Sequence, residues 1–160
     1  MIIEERVERS QYVKLITWIV SFIILMAGIV FPVLILWVNQ DMMSKVIGAS
    51  VLCLIFFTLI FTVAYQPRKL ILSETHIIME RILGQVYISY SDITDISLYH
   101  RENVAEIRIF GIGGLGGYIG KFYNSKIGFY TAYVGDYSQA FLIKINNREK
   151  YVMSCRHAEK

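Results

Sequence analysis

Charge and cysteine are both scarce in this chain. Only 18% of its 160 residues are charged and 55% are hydrophobic, whereas about 25% charged is usual for a soluble domain. Its 2 cysteines are too few for a secreted disulfide scaffold, and the high hydrophobic content excludes a disordered tail. A length of 160 residues excludes a large multidomain enzyme. What remains is one small domain with a surplus of apolar residues.

Two uncharged stretches hold this surplus, residues 15–38 and 46–65. About 20 apolar residues cross the hydrocarbon core of a bilayer as a helix, so both stretches predict transmembrane helices. Trp18, Trp37 and Tyr65 lie near their ends, where amphipathic rings favour the membrane interface. Two alternatives fit less well. The rest of the chain is too short to bury two core helices, and the apolar part of a signal peptide is shorter than the first stretch.

The positive charges predict the orientation of the two spans. The turn between them, residues 39–45, contains one basic residue, Lys45, whereas the flanks of the two stretches contain five. The positive-inside rule therefore places residues 1–14 and 66–160 in the cytoplasm and the turn outside. The flanking basic residues are Arg6, Arg9, Lys14, Arg68 and Lys69.

Short alternating runs fill residues 66–160, with polar or glycine-containing turns between them, which is typical of β-strands. Seven or so strands in a domain of this length predict a small barrel or a sandwich of two sheets. No crossover helix is apparent, so a parallel α/β sheet is excluded. The alternation predicts that Phe110, Phe129, Phe141, Ile143 and Ile145 share one core. The predicted strands are 69–72, 76–82, 86–89, 96–99, 104–110, 127–134, 139–145 and 149–153.

Two parts of this region resemble a known family. The hairpin sequence in residues 70–93, and the glycine block at 109–120 with the later Gly128, Tyr133 and 151–154, are similar to bacterial pleckstrin-homology-like domains. The similar branch of that family carries two transmembrane helices ahead of the domain.

The resemblance covers about residues 66–156. It implies a seven-stranded, partly open barrel closed at one end by a C-terminal helix. Because the sequence stops at Lys160, we expect that helix to be short or missing, unless the parent chain is longer. The resemblance implies no catalytic residue, and together with the two spans it predicts an integral protein of the bacterial cytoplasmic (inner) membrane.

The glycine block also matches a nucleotide-binding pattern. Gly111, Gly113 and Gly116 have the spacing of the dinucleotide fingerprint, and Asp136 lies 20 residues beyond the last of them. The fingerprint requires a helix whose N-terminus holds the pyrophosphate, and the residues that follow are alternating and aromatic. We therefore predict a strand–loop–strand connection, in which glycine permits bends and close backbone approach.

A basic and aromatic surface is the remaining candidate site. Residues 107–135 contain no acidic residue, and a loop of this kind beside a membrane could meet anionic headgroups. The alternative is a solvated strand face with its aromatic residues in the core. Nucleic-acid binding is not expected from a net charge of +3 without a known motif. The candidate contacts with membrane or partner are Arg68, Lys69, Lys121 and Lys126.

Catalytic and metal chemistry find little support in the sequence. Cys155 and His157 form a Cys-x-His pair that lacks the further ligands of a zinc site. Asp92 and Asp95 lie in a turn-like segment, where their side chains are expected to cap backbone amides. His100 has no identifiable partner for acid–base work. We expect no cofactor, no metal and no enzymatic activity.

These observations predict a non-enzymatic, membrane-anchored module that presents a β-domain at the cytoplasmic surface for binding or scaffolding. Its partner is left open between a protein, a peptide and anionic lipid headgroups, and so is self-association. The alternative is a structural subunit of a larger membrane complex, which small residues at a helix interface, such as Gly48, Ala49 and Ser50, would favour.

Overall fold

The computed structural model describes residues 2–38, 41–101, 106–146, 148–156 and 158. The beginning of the predicted strand 104–110, part of the predicted turn 39–45 and His157 lie outside them. Within the described residues the elements are β1 (Ile3–Arg6), α1 (Gln11–Val38), α2 (Met42–Ala64), β2 (Pro67–Leu72), β3 (His76–Arg81), β4 (Gln85–Ser89), β5 (Ile93–Leu98), β6 (Glu106–Gly113), β7 (Tyr118–Asn124), β8 (Gly128–Val134), β9 (Ala140–Ile145) and β10 (Lys150–Ser154).

The two helices form a hairpin of mostly exposed apolar residues. Ser10 caps α1, since its Oγ accepts a hydrogen bond from the amide of Val13 at 3.2 Å. Asp41 caps α2 in the same way, through the amide of Ser44 at 3.1 Å. Both helices are long and apolar enough to cross a membrane, and 11% of each candidate span is buried. The predicted pair of N-terminal apolar helices is confirmed, and the low burial argues against two core helices of a soluble protein.

The strands of the described residues form two sheets, which is one of the two arrangements that the sequence left open. One has four strands in the order β1-β2-β3-β4, and the other has six in the order β5-β9-β10-β8-β7-β6. Neighbouring strands pair antiparallel, except that β10 and β8 are parallel. The sheets do not close into a barrel. No helix follows β10 in the described residues 155, 156 and 158.

Two strands were not assigned by the alternation. β1 comes from the segment that precedes the first span, and it pairs antiparallel with β2, with Arg6 opposite Lys69. β7 begins at the end of the glycine block, continues into the aromatic stretch, and pairs with β6 on one side and β8 on the other. The β-domain therefore includes residues from both sides of the helical hairpin in sequence, and the count exceeds seven strands.

Two hydrophobic clusters lie on opposite faces of the six-stranded sheet. The first lies between the sheets and includes Phe141, Ile143 and Met153 with residues of β2, β3 and β4. The second includes the alternate residues of the same strands, such as Leu142 and Val152. Because successive side chains point to opposite faces of the sheet, β9 and β10 contribute residues to both clusters.

The predicted single core is correct for three of its five residues. Phe141 and Ile143 are buried in the first cluster, and Ile145 packs against it. Phe110 and Phe129 are 74% and 67% exposed, so their assignment to the core is wrong. Phe110 follows an irregularity in the pairing of the edge strand β6, and the ring of Phe129, the second residue of β8, contacts Tyr123 and belongs to neither cluster.

Candidate membrane-surface site

The β-domain contacts the ends of the helical hairpin through its turns. The amide of Gly116, in the β6–β7 turn, donates a hydrogen bond to Oγ1 of Thr17 in α1 at 2.8 Å. The amide of Leu83, in the β3–β4 turn, donates to the carbonyl of Ala64, the last residue of α2, at 2.9 Å. We call this junction of helix ends and β-domain turns the foot of the hairpin. Contacts at both helices hold the β-domain beside the spans.

Glycine is required at two contacts of the foot. Gly116 has a φ of +75°, and a Cβ at this position would collide with the buried side chain of Gln66. The carbonyl of Gly135 accepts a hydrogen bond from the amide of Ser10 at 3.2 Å, and a Cβ on Gly135 would collide with the carbonyl of Glu8. The predicted strand–loop–strand reading of the glycine block agrees with this geometry, because the glycines permit close backbone approach.

A basic pocket opens at the foot, between β1, β2 and β3. Its volume is about 420 Å³. β1 supplies one wall through its pairing with β2, so residues from before and after the helical hairpin meet there. We call this cavity the foot pocket. Its lining residues are Arg6, Val7, Arg9, Pro67, Arg68, Lys69 and Glu80.

The foot pocket has an excess of positive charge. Lys69 is engaged, since its Nζ lies 3.1 Å from Oε2 of Glu4. Arg6, Arg9 and Arg68 have no ion-pair partner in the described part of the chain. The lining residues carry four positive charges against the single carboxylate of Glu80, and the three arginines are exposed, so an anion with several oxygen acceptors would find donors there. The pocket therefore has the charge and the donors to hold a phosphate-bearing group.

The pocket lies at the level where the chain leaves the apolar spans. Arg9 precedes the first residue of α1 by two positions, and Arg68 follows the last residue of α2 by four. These positions correspond to the interface of a bilayer that the two helices would cross. In such a bilayer, basic residues at this level would lie near the lipid headgroups.

The four sequence-predicted contact residues do not form one site. Arg68 and Lys69 line the foot pocket, whereas Lys121 lies on β7 beside a separate cavity of about 480 Å³. Lys126 lies in the turn between β7 and β8, at the end of β7 opposite to the glycine turn. At about 3.3 Å per residue, a strand of this length separates the two ends of β7 by roughly 20 Å. Arg6 and Arg9, used in the sequence only to predict orientation, are the missed members of the basic site.

A polar and aromatic cluster lies on the other face of the six-stranded sheet. Glu106 is 4% exposed, and it pairs with Nε of Arg101 at 2.5 Å. The hydroxyl of Tyr137 donates to Oε1 of Glu106 at 2.9 Å. The guanidinium of Arg101 lies over the rings of Tyr118 and Tyr137, 5.0 and 4.6 Å from their centroids. The cluster was not found from the sequence, because its members are distant along the chain.

The contacts of this cluster compensate the buried negative charge of Glu106. Burial raises the pKa of the Tyr137 hydroxyl far above its usual value, and the nearby Glu106 carboxylate raises it further. The hydroxyl is therefore a neutral donor over the whole physiological range. The Glu106 carboxylate is thus compensated by the Arg101 guanidinium and the Tyr137 hydroxyl, as expected for a buried charge.

The residues considered for catalysis or metal binding have ordinary surroundings. Asp95 forms an exposed ion pair with Lys144, at 2.8 Å. Asp92 and His100 are exposed. No group of three His, Cys, Asp or Glu side chains that could hold a metal ion occurs in the described residues.

More than half of the chain matches a known family. Residues 68–160 match the family described as Bacterial PH domain. This match confirms the resemblance seen in the hairpin and glycine motifs. No curated protein and no solved structure matches the chain.

Proposed function

The chain belongs to the bacterial PH domain family, and from this premise we propose that it is a membrane-anchored module that binds anionic lipid headgroups at the cytoplasmic surface. PH-like domains generally act in binding and scaffolding rather than catalysis. The two apolar helices suggest association with a membrane. The foot pocket is the observation that carries the proposal, because it combines unpaired arginines with a position at the ends of the spans.

Pairing between β1 and β2 supports a common side for both ends of the helical hairpin. β1 precedes α1 and β2 follows α2, so their hydrogen-bonded pairing requires both segments to lie on the same side of the bilayer. The positive-inside rule then favours the cytoplasm, where the leaflet is also rich in anionic lipid.

Charge arithmetic sets the scale of the proposed lipid preference. Each Lys or Arg near an anionic surface contributes about 1 kcal/mol, so three arginines contribute about 3 kcal/mol, or roughly 100-fold in affinity. The ionic strength of the cytoplasm, at which the Debye length is about 8 Å, screens these charges and reduces this value. In this proposal the residues of the foot pocket contact the bilayer, because they lie at the ends of the helices, and Lys121 and Lys126 do not.

The test is lipid-induced stabilisation of the full-length protein in a neutral detergent. Short-chain phosphatidylglycerol should raise the Tm, whereas phosphatidylcholine of the same chain length should not. The Arg6→Gln/Arg9→Gln/Arg68→Gln variant should lose this response. The Lys121→Gln/Lys126→Gln variant is the matched control and should keep it. A phosphatidylglycerol response that survives in the triple variant would refute the proposal.

One observation favours a second candidate, a contact with a protein partner. The edge strand β6 exposes Ile107, Ile109 and Phe110 by 55%, 54% and 74%, and Phe129 of β8 is also exposed. Such clustering of large apolar side chains marks interaction surfaces.

If the chain is instead a structural subunit, β6 would contact the larger complex. Gly48 does not add to that alternative, because it is buried within the hairpin, where a Cβ added to it would lie 3.7 Å from Cγ2 of Ile35.

A further inference from the structure

The β3–β4 turn is apolar although a turn of this kind is usually polar. Ile82 and Leu83 are 48% and 59% exposed. Turns favour Gly, Asn, Asp and Ser, which adopt the required backbone conformations. Here Gly84 has a φ of +83° and supplies that conformation. The geometry of the turn therefore does not explain the two large apolar residues before it.

The opposite end of β3 provides an internal comparison. The turn before β3 contains Ser73, Glu74 and Thr75, all polar. The turn after β3 contains Ile82 and Leu83. β3 has six residues, so the two turns are about 20 Å apart at roughly 3.3 Å per residue. One strand thus connects a polar turn with an apolar turn.

The apolar turn lies at the depth of a helix end. The amide of Leu83 bonds to the carbonyl of Ala64, the last residue of α2, at 2.9 Å. The guanidinium of Arg81 lies 5.2 Å from the ring centroid of Tyr65, the residue that follows α2. Arginine and tyrosine at the end of a span are typical of the membrane interface, with the apolar part of each side chain towards the hydrocarbon.

We propose that the β3–β4 turn inserts Ile82 and Leu83 into the bilayer, as a third membrane contact beside the two spans. The occupant of this exposed surface is lipid, because the turn is continuous with the apolar surface of α2 at its last residue. Amphipathic elements that lie in the interface bury their apolar face about 5–10 Å into the headgroup and acyl boundary. The contact fixes the tilt of the β-domain and orients the foot pocket towards the headgroups. It rests on the membrane-anchored function proposed above.

Tryptophan fluorescence of the full-length protein in neutral phosphatidylcholine vesicles tests this contact. The native Trp18 and Trp37, which are 78% and 87% exposed on α1, are first replaced by phenylalanine. Leu83→Trp then places the probe in the apolar turn, and Thr75→Trp places it in the polar turn at the other end of β3. Ile82→Trp gives a second probe of the apolar turn, should Leu83→Trp fold poorly. Quenchers are brominated lipid in the bilayer and iodide in the water.

The two turns should respond in opposite ways. Brominated lipid should reduce the emission at position 83 or 82 by at least about twofold, as expected for a side chain in the acyl boundary, and iodide should have little effect. The probe at position 75 should be quenched by iodide alone. Iodide quenching at position 83 and 82 equal to that at position 75 would overturn the inference.

The wild-type protein shows whether a negative result concerns the inserted turn alone or the membrane-anchored function as well. Its Trp18 and Trp37 report whether the spans are in lipid. If brominated lipid quenches them but not the turn probes, the inserted turn is wrong and the anchor stands. If it quenches neither, the membrane-anchored function itself is wrong. Because the vesicles are neutral, the result does not depend on the foot pocket.

Discussion

At the scale of single residues, two phenylalanines with similar sequence surroundings have opposite environments. Phe141 is 8% exposed in the cluster between the sheets, and Phe129 is 67% exposed. Truncating a buried phenylalanine removes apolar burial and leaves a cavity, so Phe141→Ala should destabilise the β-domain by about 3–5 kcal/mol. Phe129→Ala should change the stability by less than about 0.5 kcal/mol, as surface substitutions usually do.

Unfolding of the full-length protein in mild detergent, followed by near-ultraviolet circular dichroism, measures both variants. An unchanged midpoint for Phe141→Ala would mean that the faces of β9 are misassigned. A large loss for Phe129→Ala would mean that a partner or a second copy buries this residue under the conditions used.

The pair formed by Arg101 and Glu106 gives a second residue-scale prediction. Removing Arg101 leaves the buried Glu106 carboxylate with the Tyr137 hydroxyl as its remaining partner among the described residues. The loss of a partner from a fully buried pair costs about 3–5 kcal/mol, and the 41% exposure of Arg101 reduces this to about 2 kcal/mol.

A double-mutant cycle checks this pair. Arg101→Met should destabilise the protein, and adding Glu106→Gln should recover part of the loss, because the amide carries no charge that needs compensation. Strictly additive effects of the two changes would show that the ion pair contributes no coupling energy.

At the scale of elements, the glycines of the β6–β7 hairpin separate into required and tolerant positions. Gly120 has a φ of +121°, and a Cβ there would collide with the carbonyl of Phe110. Gly113 has no positive φ, and a Cβ would lie at an ordinary 3.5 Å from the side chain of Arg108. Gly120→Ala should therefore destabilise the hairpin by more than about 2 kcal/mol, and Gly113→Ala should have little effect.

Hydrogen exchange of the β6 and β7 amides measures this difference. Gly120→Ala should lose protection in both strands, whereas Gly113→Ala should keep it. Equal protection in the two variants would contradict the strain that we assign to Gly120.

The success of the sequence-based prediction also varies by element. Alternation assigns Phe141 and Ile143 correctly because β9 is an inner strand with neighbours on both sides. It fails at Phe110, since the pairing of β6 is irregular between Arg108 and Phe110 and the edge strand lacks cover. It cannot find β1, because a four-residue strand of mixed charge acquires its partner only when the helical hairpin brings β2 beside it.

The foot pocket was found in part from the sequence. Arg68 and Lys69 were candidates because they follow the second span. Arg6 and Arg9 join them through the pairing of β1 with β2, a long-range contact that no local pattern indicates. The buried Glu106 and its partners were missed for the same reason.

At the scale of the whole molecule, the paired β1 and β2 link the two ends of the helical hairpin. Reporter fusions at residue 160 and at the N-terminus should therefore report the same side, and the positive-inside rule predicts that it is the cytoplasm. A fluorescent protein that folds only inside should be active at both ends. A periplasmic reporter active at residue 160 would contradict the orientation, and opposite sides for the two ends would contradict the pairing of β1 with β2.

The central claim is that the foot pocket holds anionic headgroups while the helices cross the bilayer. Electron spin resonance of spin-labelled lipids tests it in vesicles that contain the full-length protein. The wild type should immobilise phosphatidylglycerol in preference to phosphatidylcholine, and added salt should weaken this preference. The Arg6→Gln/Arg9→Gln/Arg68→Gln variant should immobilise the two lipids almost equally. A wild-type protein without preference, or a variant with the full wild-type preference, would contradict the account.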